Sequence, residues 1–242
     1  MKIRIKRFNK ELNVDSQNEY EVLDSNLLKS LIYVKTKIDN SLSFRCGCKS
    51  GVCGSCAVRV NGIEKLACKT FINENDLIEP LRNSKVIKDL IIDVSHETSL
   101  IKSTSSYIDI KSNKQINQDN IKQIDLQSNC ILCNSCFSSC PVYEVNTNFI
   151  GPFALTRALR YVNEAKLESN DKILANIQIN GIWDCTLCSS CTLVCPQSID
   201  PKADIMQLQN ISVQKGFSNP NFQNFSLDFN DDFAGGFNPN GF

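Results

Sequence analysis

Residues 2 to 8, Lys-Ile-Arg-Ile-Lys-Arg-Phe, alternate charged and apolar side chains with the period of a half-buried strand, and residues 18 to 23 do so less cleanly. Together the two runs predict an opening hairpin. Between Asp24 and Asp39, Leu27, Leu28, Leu31, Ile32 and Ile38 recur near helical spacing. They predict one amphipathic helix across the sheet, with Asp24 or Ser25 as its N-cap. Further on, residues 57 to 60 and 63 to 68 flank Asn61-Gly62, a dipeptide that tolerates positive φ, and so predict a second hairpin with a two-residue turn.

From about residue 95 to 125 the chain turns polar, with only a few apolar residues among Ser, Thr, Lys, Asn and Gln, and reads as a linker. Beyond it the pattern is helical. Gly151-Pro152 opens a helix whose apolar surface is Phe153, Leu155, Ala158, Leu159 and Val162, and Asp200-Pro201 repeats the start signal before Ile205, Met206, Leu208 and Ile211. From 216 to 242, Phe217, Phe222, Phe225, Phe229, Phe233, Phe237 and Phe242 stand among Asn, Asp, Gly and Pro. Such a stretch lacks the aliphatic content of a core. It reads either as a disordered tail or as a strip whose phenylalanines anchor in the grooves of a partner.

The 242 residues exceed the usual size of one domain, roughly 100 to 200 residues, so two modest domains are expected. Basic and acidic residues balance at 26 each, which leaves no positive field for nucleic acid, and no nucleic-acid partner is expected. The amino-terminal residues alternate and do not form the apolar block of a signal peptide, and no apolar run reaches the length of a membrane span.

Thirteen cysteines beside a single histidine, His96, change the picture most. An odd count does not close a disulfide framework, and a reducing cytosol keeps thiols free, so the set reads as metal ligands. Cys48, Cys53 and Cys56 are spaced C-x4-C-x2-C and Cys68 follows the hairpin, the plant-type arrangement for a [2Fe-2S] cluster. Gly47, Gly51 and Gly54 interleave them, and without Cβ the backbone can curl and aim N–H groups at the sulfurs. Zinc sites usually close with one tetrahedral set and do not show these spacings.

Two further runs, Cys130 to Pro141 and Cys185 to Pro196, both read C-x2-C-x2-C-x3-C-P, an internal repeat of the bacterial two-cluster motif. In that motif the fourth cysteine serves the other cluster. Cys130, Cys133, Cys136 and Cys195 are therefore expected to hold one [4Fe-4S] cluster, and Cys140, Cys185, Cys188 and Cys191 a second, or a [3Fe-4S] cluster if Cys188 takes no part. A helix begun after each Cys-Pro is expected to turn the fourth thiol toward the paired site. The assignment leaves Cys46 as a non-ligand thiol, unless the loop is redrawn to swap it for Cys48. His96 reads as a solvated surface residue and Trp183 as packing against a cluster. No catalytic residue is expected, because the sequence carries no nucleophile–base pair, no phosphate-binding glycine loop and no flavin fingerprint.

The expected fold class is α+β. A β-grasp plant-type ferredoxin domain spans 1 to 95, a linker 96 to 125, an all-α bacterial-ferredoxin-like domain with two clusters 126 to 215, and the tail 216 to 242.

Ser43-Phe44-Arg45, Gly51-Val52-Cys53-Gly54-Ser55-Cys56-Ala57, Leu66-Ala67-Cys68-Lys69, Lys88-Asp89-Leu90, Cys130-Ile131-Leu132-Cys133, Phe149-Ile150-Gly151-Pro152 and Val194-Cys195-Pro196 follow one another in this order. Through them the chain resembles the iron-sulfur subunit of the succinate dehydrogenase and fumarate reductase family over about residues 1 to 215. The resemblance implies an oxidoreductase subunit that passes single electrons between a flavoprotein subunit, which alone holds FAD, and a membrane-anchor subunit with quinone near the last cluster. It implies a peripheral place on the cytoplasmic face of the inner membrane; export with a signal-bearing partner stays open. Many members lack the cysteine at position 188 and hold [3Fe-4S] there. Members often place a tryptophan shortly after the first Cys-Pro and a histidine after the first cysteine of the second run, both near quinone; here those places hold Val145 and Thr186. The extra cysteine resembles the branch whose partner is a cysteine-rich subunit related to heterodisulfide reductase. The alternative readings are an electron carrier for another flavin dehydrogenase or a thiol-linked fumarate reductase, and a free-standing ferredoxin.

Overall fold

The structure, a computed structural model, describes residues 1–9 and 13–220. Strand β1 (Lys2–Asn9) buries Ile3 and Ile5 and turns charged neighbours outward, as its alternation predicts. It pairs antiparallel along its length with β2 (Val14–Glu21), Lys2 opposite Glu21. This second strand starts earlier than its apolar pattern suggests. Tyr20 is its only buried residue, and an exposed edge strand needs polar side chains more than an apolar face.

Helix α1 (Leu27–Tyr33), continued by a π-helical turn over Val34–Ile38, buries Leu27, Leu28, Leu31 and Val34 in the same core as Ile3 and Ile5. Its cap is Asn26, not Asp24 or Ser25. The Asn26 side chain accepts from the Lys29 amide at 3.2 Å, while Asp24 accepts from the Asn26 amide at 2.7 Å and so fixes the cap itself. Strands β3 (Ala57–Val60) and β4 (Ile63–Leu66) form the second hairpin, with Asn61 and Gly62 both at positive φ. Strand β5 (Leu77–Glu79) completes a five-stranded sheet of order β2-β1-β5-β3-β4, parallel to β1 and antiparallel to β3. Strands β6 (Val86–Lys88) and β7 (Ile91–Ile92) make a separate small pair.

The remaining elements are helices: α2 (Ser95–Ser103), α3 (Gln118–Ser128), α4 (Ser135–Ser138), α5 (Pro141–Val145), α6 (Pro152–Val162), α7 (Asp171–Asn176), α8 (Ser190–Leu193) and α9 (Pro201–Gln214). The proline starts of α6 and α9 lie where the sequence puts them, and the Asp200 side chain caps α9 by accepting from the Ala203 amide. Phe137, Phe149, Leu155, Leu159, Leu174 and Ile205 are fully buried in this second core.

The polar stretch read as a linker is not free of structure. It carries α2, which buries Glu97 and Leu100, and α3, which buries nothing and is held at its start by a reciprocal cap between Asn117 and Asn120. An unburied helix shows no apolar stripe, so the pattern could not announce it. Glu97 accepts from the hydroxyls of Ser84 and Tyr143 and so ties α2 to both halves of the chain. Phe217 packs partly against the helical core, whereas the rest of the phenylalanine strip, from residue 221, lies outside the described residues. Among the described residues no helix is long and apolar enough to cross a membrane.

The two cores meet at a polar seam. Ser138 at the end of α4 donates to the Glu64 carboxylate of β4, the Arg82 amide donates to the Ser138 hydroxyl, and the Asn83 side chain donates to the carbonyls of Phe137 and Ser138. Beside it, Ile131 and Cys133 of the helical region pack against the core of the sheet region.

Candidate metal centres

The loop between α1 and β3 gathers the first cysteine set. The amides of Ser50 and Val52 donate to the Cys48 sulfur at 3.4 Å, and the Cys48 amide donates to the Cys53 sulfur at 3.4 Å. The Ser50 hydroxyl, these amides and Cys53 bring the Cys48 thiol down to about 6. Cys56 and Cys68 stand deeper, and burial, with Cys68 and Cys53 close by, pushes Cys56 up to about 11. The structure thus brings Cys48, Cys53, Cys56 and Cys68 into one group with an open edge at Cys48 and a buried edge at Cys56. Cys46 is exposed beside it.

The second and third groups interleave the two repeats. Cys130, Cys133, Cys136 and Cys195 line one cavity together with Phe153, Thr156 and Pro196. Burial raises the Cys130 thiol to about 11, with Cys133 and Cys195 adding to it; burial raises Cys136 well above its ordinary value, with Cys133 and Cys130 the next largest causes. Cys140 is raised by burial and then by Cys185 and Cys188, and Cys191 is pushed up to about 12 by burial and then by Cys185, Cys140 and Cys188. The fourth thiol of each run therefore stands with the first three of the other. Cys191 also acts on Cys136, which places the two groups side by side.

Thiols raised by burial keep their protons at neutral pH, and a metal bound among them would displace those protons. Among the described residues no three His, Cys, Asp or Glu side chains converge as they would on a single metal ion. The donor sets, thiol-only and ringed by backbone amides, fit clusters of iron and sulfide.

The two repeats share their backbone as well as their spacing. Leu132 and Leu187 have φ of 51° and 55°, and Asn134 and Ser189 both 69°, just before the short helices α4 and α8. They differ after the proline. Pro141 begins α5, with the Cys140 sulfur accepting from the Tyr143 amide as its cap, whereas Cys195-Pro196 is followed by a turn and α9 starts only at Pro201. A helix after each Cys-Pro, as expected from the motif, is thus found once.

Val145, five residues after Cys140, and Leu193, two after Cys191, are 86% and 84% exposed. His96 is exposed, with its Nε2 2.8 Å from the Thr147 carbonyl, and Trp183 donates from Nε1 to the Gln178 side chain at 2.8 Å. Neither touches a cysteine sulfur among these bonds. Sequence reasoning missed Glu64, Asn83 and Ser138, which hold the halves together. Polar pairs 54 to 74 residues apart leave no local pattern. It also passed over the serine two places after a cysteine in each set, a repeat visible in the sequence itself.

Residues 2–99 match the family described as a 2Fe-2S iron-sulfur cluster binding domain, and residues 127–199 the family described as a 4Fe-4S dicluster domain, so the chain is an iron-sulfur protein of two cluster-binding parts. The fumarate reductase iron-sulfur subunit of Escherichia coli O6:H1 is 34% identical over 222 residues, covering 86% of this chain and 91% of that protein. The 8-methylmenaquinol:fumarate reductase iron-sulfur subunit of Wolinella succinogenes is 31% identical, covering 90% and 74%. An uncharacterised iron-sulfur protein of Methanocaldococcus jannaschii is 33% identical over 90% of this chain, which spans 45% of that relative. The chain belongs to the succinate dehydrogenase and fumarate reductase iron-sulfur subunit family, and is an electron-transfer subunit of that oxidoreductase class. Its fold is shared with a chain of the Mycobacterium smegmatis Sdh1 complex in the apo form, at a TM-score of 0.78 and 23% identity, covering 90% of this chain and 97% of that one.

Proposed function

We propose that Cys48, Cys53, Cys56 and Cys68 hold a [2Fe-2S] cluster, that Cys130, Cys133, Cys136 and Cys195 hold a [4Fe-4S] cluster, and that Cys140, Cys185, Cys188 and Cys191 hold a second [4Fe-4S] cluster. The observation that carries this is the interleaving of the two repeats, each run sending its fourth thiol to the other group. Cys188 has the same turn after it as Cys133, with φ of 69° in both, which supports four thiolates at the third site and not three. Burial alone would raise the Cys188 thiol, yet donors from Ser190 and Thr186 hold it below its ordinary value.

Clusters bound in these three sites would supply one-electron transfer along the chain. The protein's part is to fix their spacing and surroundings. The sheet region, of β-grasp type, presents the first site, and the helical region, of bacterial-ferredoxin type, the other two; residues 1 to 95 and 126 to 215 bound the two parts. Gly54, at φ +71, lies so close to Ile131 and Cys133 that the first and second sites meet backbone to backbone, and the Gln197 side chain donates to the Gly51 carbonyl across the same join.

By kinship with relatives named for fumarate reductase, the partner at the first site is an FAD-bearing flavoprotein subunit, and the chain works peripherally at the cytoplasmic face of the inner membrane. At the third site stands a membrane-associated subunit. Exposed Val145 and the available fourth thiolate at Cys188 favour a cysteine-rich subunit there over a quinone-binding anchor. Replacement of Cys195 by serine tests the ligand sets. The reduced-state EPR signal of the Cys130 site changes and that of the Cys185 site persists if the runs are interleaved; the reverse result refutes the assignment. Copurification with a haem b subunit, and with no cysteine-rich one, would refute the choice of partner.

A further inference from the structure

Cys53-Gly54-Ser55, Cys133-Asn134-Ser135 and Cys188-Ser189-Ser190 are the same turn built three times, once in each proposed site. In each a cysteine is followed by a residue in the left-handed region, at φ of 71°, 69° and 69°, and then by a serine. Reversal of the chain at the middle residue brings the serine hydroxyl back to 3.4 Å from the cysteine sulfur in all three. Asn134 and Ser189 adopt this conformation although each carries a Cβ, an arrangement that costs about 1 kcal/mol or more at each place. The first site has the turn a second time, in Cys48-Lys49-Ser50 with Lys49 at φ 59°, and the Ser50 hydroxyl is the strongest of the donors that lower the Cys48 thiol.

We propose that Ser55, Ser135 and Ser190 set the electron affinity of the three sites, each through a hydrogen bond to one ligand sulfur. The proposal rests on the ligand sets given above. A thiol can donate in such a pair, but a metal-bound thiolate has no proton, so in the loaded protein the hydroxyl is the donor. An added electron increases the negative charge on the sulfurs, and a donor aimed at them stabilises the reduced form more than the oxidised one. Loss of the hydroxyl therefore lowers the reduction potential of its own site.

Burial and the remaining donors rank the three. Ser135 is 1% exposed, where no water replaces a lost hydroxyl. Ser190 is half-buried, so water replaces a lost hydroxyl there only in part. Ser55 is exposed, and the first site keeps Ser50. The order of effect is Ser135, then Ser190, then Ser55.

The test is a redox titration of the full chain in its assembled complex, following each cluster's EPR signal, in Ser55→Ala, Ser135→Ala and Ser190→Ala. Each substitution is expected to shift only the site beside it, downward, with the largest shift in Ser135→Ala, and threonine at each position is expected to restore the potential. If an alanine variant does not retain its cluster, Thr and Val at that position, nearly equal in shape, read the hydroxyl alone. Unchanged potentials in all three variants, equal potentials for Thr and Val, or a common shift of all three sites would overturn the proposal. Failure of the ligand sets is distinguishable, since it appears as missing or different signals in the unaltered protein.

Discussion

Ser138 and Glu64 meet at 2.7 Å across the join between the helical and sheet regions, both side chains buried, with the hydroxyl donating to the carboxylate. Arg59 Nε lies 3.5 Å from the same Glu64 oxygen, an ion pair too long for a good hydrogen bond, and Arg59 Nη1 lies 3.4 Å from Glu79. Glu64 is thus the shared acceptor of a charge on its own sheet and a hydroxyl on α4, the helix that presents Cys136. The contact ties the placement of the second site to the hairpin that leads to Cys68.

Removal of this carboxylate takes one of two acidic neighbours from the half-buried Arg59 and leaves the buried Ser138 hydroxyl without its acceptor. Glu64→Ala is expected to cost about 3 kcal/mol of stability. Glu64→Gln, which keeps an oxygen for Ser138, is expected to cost less. Calorimetry of the cluster-loaded protein checks both, and equal effects of the two substitutions would argue against a role for the Ser138 bond.

Gly54 and Gly62 both have positive φ but differ in what surrounds them. A Cβ at Gly54 would meet the Ile131 carbonyl at 2.8 Å and Cys133 at 2.9 Å, whereas one at Gly62 would meet only the end of Arg59 at 3.4 Å. Gly62→Ala is expected to cost about 1 kcal/mol, the backbone penalty alone. Gly54→Ala is expected to cost more and to push the first and second sites apart, seen as a weaker magnetic interaction between their reduced clusters in EPR.

Phe137 fills the space between Tyr143 and Phe153, with ring centroids 4.7 and 4.5 Å away, and is fully buried one residue after Cys136. Phe137→Ala is expected to cost about 3–5 kcal/mol. Its thermal midpoint should fall, and cluster signals from the helical region should be lost before that of the first site.

Two carboxylates give stability opposite dependences on pH. Hydrogen bonds from Ser41, Tyr20 and Arg7 hold Asp39 well below the usual carboxylate range. The unfolded chain binds this proton more readily, so the contribution is complete above about pH 4 and is lost as pH falls toward the folded value. Burial raises Asp204 despite donors from Gln127 and Thr156. Its contribution is complete below about pH 4 and is lost as pH rises through the folded value. Asp39→Asn is expected to flatten the acid limb of thermal midpoint against pH, and Asp204→Asn to flatten the rise-side loss.

The parts of this architecture legible in the sequence are those with local causes. The Asn61-Gly62 turn and the proline starts of α6 and α9 follow from residue type and spacing alone. The unseen parts have distant causes or none in hydrophobicity. Asn26 displaces its neighbours as a cap because Asp24 is engaged in fixing it; α3 fully buries no residue and so writes no clear apolar stripe; the Glu64–Ser138 contact joins residues 74 apart. The turn from Asn134 to Ser135 repeats at Ser189 and Ser190, but only coordinates reveal that its hydroxyls return to the sulfurs.

The claim that the chain carries one plant-type and two cubane clusters, with Cys188 a ligand, is tested most directly by EPR of the purified unaltered protein in both redox states. Reduction is expected to give a [2Fe-2S] signal and signals from two interacting [4Fe-4S] clusters, with no [3Fe-4S] signal in the oxidised protein. An oxidised [3Fe-4S] signal that remains under anaerobic purification, unchanged in Cys188→Ser, would contradict it.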